Sequence, residues 1–173
     1  DRRMATMYLP ERTIGMLPPG FSQRVGSLDP GEARLSISVL ATVEHSGAVK
    51  EWEVTPSAVR SRAALSYDDV DHALMDADSP WHKMLSGLSQ VAQAWRGKRE
   101  ADGAINVDQP EMAVRAHPSG HVEVKILERA SPARQLVSEL MILCNSLLAE
   151  FCSREGLPAI YRSQASPDLL SLG

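Results

Sequence analysis

From Arg34 onward apolar and polar residues alternate. Leu35, Ile37, Val39, Ala41 and Val43 fall on one side, and Ser36, Ser38, Thr42 and Glu44 mostly on the other. That period of two predicts a half-buried strand. His45-Ser46-Gly47 reads as a turn, and Ala48 to Thr55 returns as the second strand of a hairpin. The period then changes. Ser66 precedes Tyr67-Asp68-Asp69 in a Ser-x-x-Asp capping pattern, with Val70, Ala73, Leu74 and Ala77 at helical spacing. Ser79-Pro80 restarts a helix with Pro at its first position, where the missing N–H costs nothing. Met84, Leu85, Leu88, Val91, Ala92 and Trp95 line one face of that helix, and Lys98-Arg99-Glu100 and Asp102-Gly103 end it. A second hairpin is predicted around Pro118-Ser119-Gly120, where Val122, Val124 and Ile126 alternate with Glu123 and Lys125.

The clearest element is the last. Ser131-Pro132 starts a helix that runs to about Glu155, with Gly156 as its stop. Leu136, Val137, Leu140, Met141, Cys144, Leu147, Leu148 and Phe151 give it a nearly complete apolar stripe. Residues 1–33, rich in Pro and Gly, predict an extended segment with loops rather than a helix. The fold class is therefore α+β, with antiparallel hairpins packed against long amphipathic helices.

Composition changes this picture little. At 173 residues the chain fits one domain or part of a larger one, and 43% hydrophobic residues with 11 Gly is close to the globular average. A net charge of −4 excludes a polybasic protein that binds nucleic acid by bulk charge, but not a local basic groove. Cys144 and Cys152 lie on one predicted helix about 12 Å apart along its axis, too far to bridge each other. Reduced thiols, no apolar run near the roughly 20 residues of a bilayer span, and no signal-peptide h-region lead by default to a cytoplasmic protein without a membrane segment.

Candidate chemistry is sparse. Asp68, Asp69, Asp71, Asp76 and Asp78 lack the Gly and terminal Glu of an EF-hand, so a helix cap with a solvated face outweighs a cation site. His117 and His121 are four apart, but Pro118 and Gly120 intervene, which excludes the one-face helix of a zincin. No Gly-x-Ser-x-Gly elbow, Walker loop or Rossmann glycine pattern is present. Glu139 and Asn145 fall near or beyond the edge of the last helix's stripe. Solvent exposure and a place on a cleft wall both fit them. Tyr8, Tyr67 and Arg60 are equally open: a tyrosine packs in a core or stacks on a base, and an arginine pairs with phosphate.

Pattern identity along the chain goes further. Tyr8-Leu9-Pro10-Glu11-Arg12 with Gly15-Met16-Leu17-Pro18 resembles the Tyr-Leu-Pro…Met-Leu-Pro signature of the ribonuclease II catalytic domain, the RNB domain. Ser27-Leu28-Asp29-Pro30-Gly31, Val59-Arg60-Ser61 and Leu65-Ser66-Tyr67 are similar to further family motifs. Leu136-Val137-Ser138-Glu139-Leu140-Met141-Ile142-Leu143-Cys144-Asn145 is similar to the family's Leu-Val-Glu-Glu-x-Met-x-Leu-Ala-Asn helix, and Pro158-Ala159-Ile160-Tyr161-Arg162 to its Pro-Ala-Leu-Tyr-Arg strand. The matches keep family order from end to end.

The resemblance implies a processive 3′→5′ exoribonuclease that releases nucleoside 5′-monophosphates from single-stranded RNA with Mg²⁺ held by an Asp-rich cluster. That cluster is expected upstream of Tyr8 and an Arg-rich phosphate-gripping segment downstream of Arg162. Residues 1–173 then form the central part of one RNB domain, with no catalytic or metal residue of their own. Alone they are expected to be inactive, and flanking RNA-binding domains are expected in the parent chain. By the same resemblance Tyr8 clamps the 3′-terminal nucleotide and Tyr67 lines the end of the RNA channel. Glu139 contacts that nucleotide or fixes a neighbouring side chain, and Arg60 and Arg162 support the site or the phosphates. Ile105 stands where some members place a stacking aromatic, and Ser138 replaces the first Glu of the usual pair. The alternative is a non-catalytic RNA-binding or scaffold relative.

Overall fold

The computed structural model describes residues 5–10, 12–106, 111–116, 119–127 and 131–161. Three antiparallel ribbons and three helices follow one another: β1 (Met7–Tyr8) with β2 (Thr13–Ile14), β3 (Ala33–Val43) with β4 (Val49–Arg60), α1 (Tyr67–Met75), α2 (His82–Ala101), β5 (Glu111–Ala116) with β6 (Val122–Leu127), and α3 (Pro132–Arg154). This is the expected α+β class. The hairpin turns fall at Gly47 and Gly120, both with positive φ, and α3 is capped by Glu155 before Gly156, also at positive φ.

Where the local chemistry is explicit, the elements start where the sequence says. Ser66 caps α1 in a reciprocal box: its side chain accepts from the Asp69 N–H at 3.1 Å and the Asp69 carboxylate accepts from the Ser66 N–H at 2.9 Å. Ser131 accepts from the Arg134 N–H, and Pro132 opens α3. A long-range cap joins the two starts: Asp71 on α1 accepts from the Ala133 N–H at 2.8 Å. Asp71 is therefore half-buried and committed rather than part of a solvated acidic face.

Several expectations need correction. Pro80 lies in the turn before α2, which starts at His82. Phe21–Val25 forms a short π-helical turn inside the segment expected to be extended. β4 runs to Arg60, past Thr55, because Ser57–Arg60 pairs with Ala33–Ser36; Pro56, opposite Ile37, is tolerated in a two-stranded ribbon whose strands are both edges.

The strand's apolar side is only partly covered. Val39, Val54 and Trp52 are half-buried at the end of the ribbon that meets α3, where Arg154 stacks on Trp52. At the other end Leu35 and Ile37 are 91% and 73% exposed. There the polar side is the sheltered one: Arg34 Nε donates to the carbonyls of Arg24 and Ser27, folding the preceding loop against the ribbon.

The buried hydrophobic residues belong to the helices: Ala73 of α1, Leu85 and Ala92 of α2, and Ala133, Leu136, Leu143 and Leu147 of α3. Each buried leucine contributes about 1.5–3 kcal/mol relative to exposure. The packed face of α3 differs from the predicted stripe by taking in Leu143 and Glu139 and leaving Met141 exposed. α3 is long and apolar enough to cross a membrane by length and composition alone; here it packs against α1 and α2.

Candidate functional site

Glu139 does not sit at the edge of the helix stripe. It is buried between α2 and α3, where Arg99 grips it with both arms of the guanidinium: Nε donates to Oε2 at 2.9 Å and Nη2 to Oε1 at 2.5 Å. A helical wheel cannot see this, because the partner lies 40 residues away. Two parallel charge-assisted bonds satisfy the carboxylate that burial would otherwise penalise. Beside it a cleft of about 90 Å³ opens, lined by Ser89, Gln93, Arg96 and Gln135 with Glu139 in its wall. Small-molecule pockets begin near 300 Å³, so this cleft does not admit a nucleotide.

Tyr67, 39% exposed, opens α1, and the Arg134 guanidinium lies 4.3 Å from its ring centroid. Ser66's cap fixes the start of α1, and Ser131 and Asp71 fix the start of α3, so both partners of this stack project from pinned first turns. Five residues separate Arg134 from Glu139, about 7.5 Å along the helix. Tyr8 stands apart on β1, 81% exposed, opposite Thr13. Arg60 ends β4 opposite Ala33 and is exposed, as is Asn145. Among the described residues no hydrogen bond, ion pair or ring contact joins Tyr8 or Arg60 to Tyr67 or Glu139. Arg162 and His117 lie outside the described residues.

Sequence reasoning missed Arg99, Arg134 and a latch after α2. Arg96 Nε donates to Glu100 Oε1 at 2.8 Å, and the Asn106 amide donates to the same oxygen. The Arg96 hydrogen bond, helped by Asn106, holds the Glu100 carboxyl below the usual range. The latch and the backbone bonds Gly103 N–H to Glu100 and Ala104 N–H to Arg99 fold the loop back, leaving Ile105 74% exposed. The (i, i+4) spacing of Arg96 and Glu100 was the only signal available in the sequence.

Three of the acidic residues after Ser66 are spent on the backbone. Asp69 caps α1, Asp71 caps α3, and Asp76 accepts from the Asp78 N–H at 3.0 Å. Among the described residues no three His, Cys, Asp or Glu side chains converge as a metal site would require.

Comparison with known proteins gives this geometry its context. The RNB domain family profile matches residues 1–172. An uncharacterized ribonuclease of Synechocystis sp. is 31% identical over 98% of the chain, and ribonuclease R of Thermotoga maritima is 30% identical over 96% of it. The chain spans about a quarter of the length of these curated relatives, 25% and 24%. Among solved structures, ribonuclease R of Mycoplasma genitalium superposes with a TM-score of 0.84 at 20% identity, in its apo form and in complex with ribose-methylated single-stranded RNA. The match covers 94% of this chain and 26% of that one. Yeast Ssd1, a pseudonuclease, has the same fold with a TM-score of 0.69 at 21% identity, over 97% of this chain and 21% of its own.

Proposed function

The chain belongs to the RNB domain family, and from that membership we propose that it is the central part of the catalytic domain of a 3′→5′ exoribonuclease acting on single-stranded RNA. The observation that carries this reading is the family match across residues 1–172. The fold shared with an RNA-bound ribonuclease R supports it. The parent protein hydrolyses RNA to nucleoside 5′-monophosphates and needs Mg²⁺ to do so. The described residues do not fit that ion, since no three of their His, Cys, Asp or Glu side chains converge. In this reading, residues of the parent outside this chain hold the ion, and the 173 residues alone do not hydrolyse RNA. Flanking RNA-binding domains and a cytoplasmic location belong to the same proposal.

Within it, Tyr8 supplies a base-stacking face, for which an exposed ring is well suited. Tyr67 lines the RNA path. Glu139 acts by holding Arg99, and through it the α2–α3 junction, rather than by touching the nucleotide, because both its oxygens are already engaged. Arg60 remains available for a phosphate, and Arg162 is assigned the same role.

A second reading is an RNA-binding relative without turnover, favoured by the pseudonuclease that shares this fold. The purified parent protein incubated with single-stranded RNA, with and without Mg²⁺, separates the two. Release of nucleoside 5′-monophosphates only with the ion is expected of the enzyme. RNA bound and recovered intact in both conditions identifies the scaffold.

A further inference from the structure

Arg134 stands out among the arginines of the helices. Arg96 pairs with Glu100, Arg99 with Glu139 and Arg154 with Glu155. Arg134, half-buried and stacked on Tyr67, has no carboxylate partner among the described residues, and no side-chain hydrogen bond from its guanidinium is formed there. Asp68 and Asp69 lie one and two residues from Tyr67, and Asp71 reaches the backbone next to Arg134, yet none forms an ion pair with it. The position is also costly for a cation, since the first turn of α3 carries the positive end of the helix dipole. The guanidinium lies over the Tyr67 ring, 4.3 Å from its centroid, where a cation–π contact holds it. Its five N–H donors make no hydrogen bond among the described residues, and a planar fork of donors is what recognises a phosphate.

Resting on the reading above, we propose that Arg134, held over the Tyr67 ring, binds a backbone phosphodiester of single-stranded RNA. Arg134 then supplies the charge and Tyr67 the placement. The aromatic face carries the guanidinium rather than a base at this point, so the contact is indifferent to sequence. Asp71, at the backbone N–H beside Arg134, and Asp68 and Asp69 beside Tyr67 oppose an anion once Arg134 is removed.

The test is equilibrium binding of a single-stranded oligoribonucleotide to the full-length parent protein across a salt series, in EDTA to suppress turnover. Arg134→Gln is expected to weaken binding several-fold. It should also reduce the slope of log affinity against log salt by roughly 0.7, the share of one phosphate on a single strand. Arg134→Lys restores the slope but not the full affinity, because it keeps the charge and loses the planar fork. Tyr67→Leu, which removes the ring face and leaves the charge, weakens binding with its slope nearly intact. A folding role alone lowers the unfolding midpoint without moving the slope. Wild-type binding with an unchanged slope in Arg134→Gln overturns the inference and leaves the ribonuclease reading standing. A parent protein that neither binds nor degrades RNA overturns both.

Discussion

Arg99 near the end of α2 and Glu139 in the second turn of α3 form a two-armed ion pair at 2.9 and 2.5 Å, buried between the helices that carry most of the core. Burial makes the pair asymmetric in its consequences. Removing one partner strands a charge in a poorly solvated place, while removing both leaves space that apolar groups can fill. Glu139→Leu alone is expected to cost about 3 kcal/mol of folding stability in urea titration, and Arg99→Met with Glu139→Leu to recover more than half of it. A double-variant loss equal to the sum of the two single-variant losses would mean that the two side chains act independently.

The tip of the β3–β4 ribbon is seated on α2 through a glycine. A Cβ at Gly47 would lie 2.3 Å from the carbonyl oxygen of Ala94, and the residue's φ of +82° already disfavours a side chain. Gly47→Ala therefore has to lift the turn off the helix, at an expected cost of about 2–4 kcal/mol read from thermal or urea unfolding. Gly87, inside α2, is the opposite case: an added methyl group there would meet nothing within 4 Å. Gly87→Ala is expected to stabilise by about 0.5–1 kcal/mol. A stabilised Gly47→Ala would contradict the seating.

Two carboxyls titrate below their ordinary values for identifiable reasons. Asp69 is lowered first by the Ser66 hydroxyl and then by the Ser66 N–H, and Glu100 first by Arg96. A carboxylate depressed in the folded state adds stability above its unfolded value, near 3.8 for Asp69, and that stability is lost as pH falls through the folded value. In side-chain carboxyl NMR titration Ser66→Ala should move the Asp69 midpoint upward. The stability gap between Ser66→Ala and wild type should shrink as the pH drops below 3.8. Arg96→Ala should raise Glu100 more than Asn106→Ala does; the reverse order would place the latch's strength in the wrong bond.

Ile105 is presented by that latch, 74% exposed, at the position where the family resemblance implies a stacking aromatic. Ile105→Phe in the parent protein is expected to lengthen processive runs on single-stranded RNA, since a base–aromatic stack is worth about 1–3 kcal/mol. Unchanged run lengths would show that this loop does not meet a base.

What was legible in the sequence was what local chemistry writes down. Ser66 and Asp69, Ser131 and Pro132, and the glycines at 47, 120 and 156 each announce a cap or turn through their neighbours, and the structure places those boundaries within a residue or two. At the candidate site the failures are long-range. Glu139 read as an edge residue because Arg99 arrives from another helix, and Asp71 read as solvated because its partner is the Ala133 N–H, 62 residues on. The exposed Leu35 and Ile37 show the converse: a period of two fixes which residues share a face, but not which face is covered. Of the candidate site, the residue types were legible from family motifs. The Arg134–Tyr67 stack was not, because it depends on where two helix starts meet.

Directional hydrolysis from a 3′ end is the activity proposed for the parent protein, and end-labelled RNA reads it out. The parent protein, Mg²⁺ and a 5′-labelled single-stranded oligoribonucleotide should yield a ladder that shortens progressively from the 3′ terminus. The same RNA labelled at its 3′ end should release labelled mononucleotide at the earliest times. Internal cuts, shortening from the 5′ end, or RNA retained at full length would contradict the account.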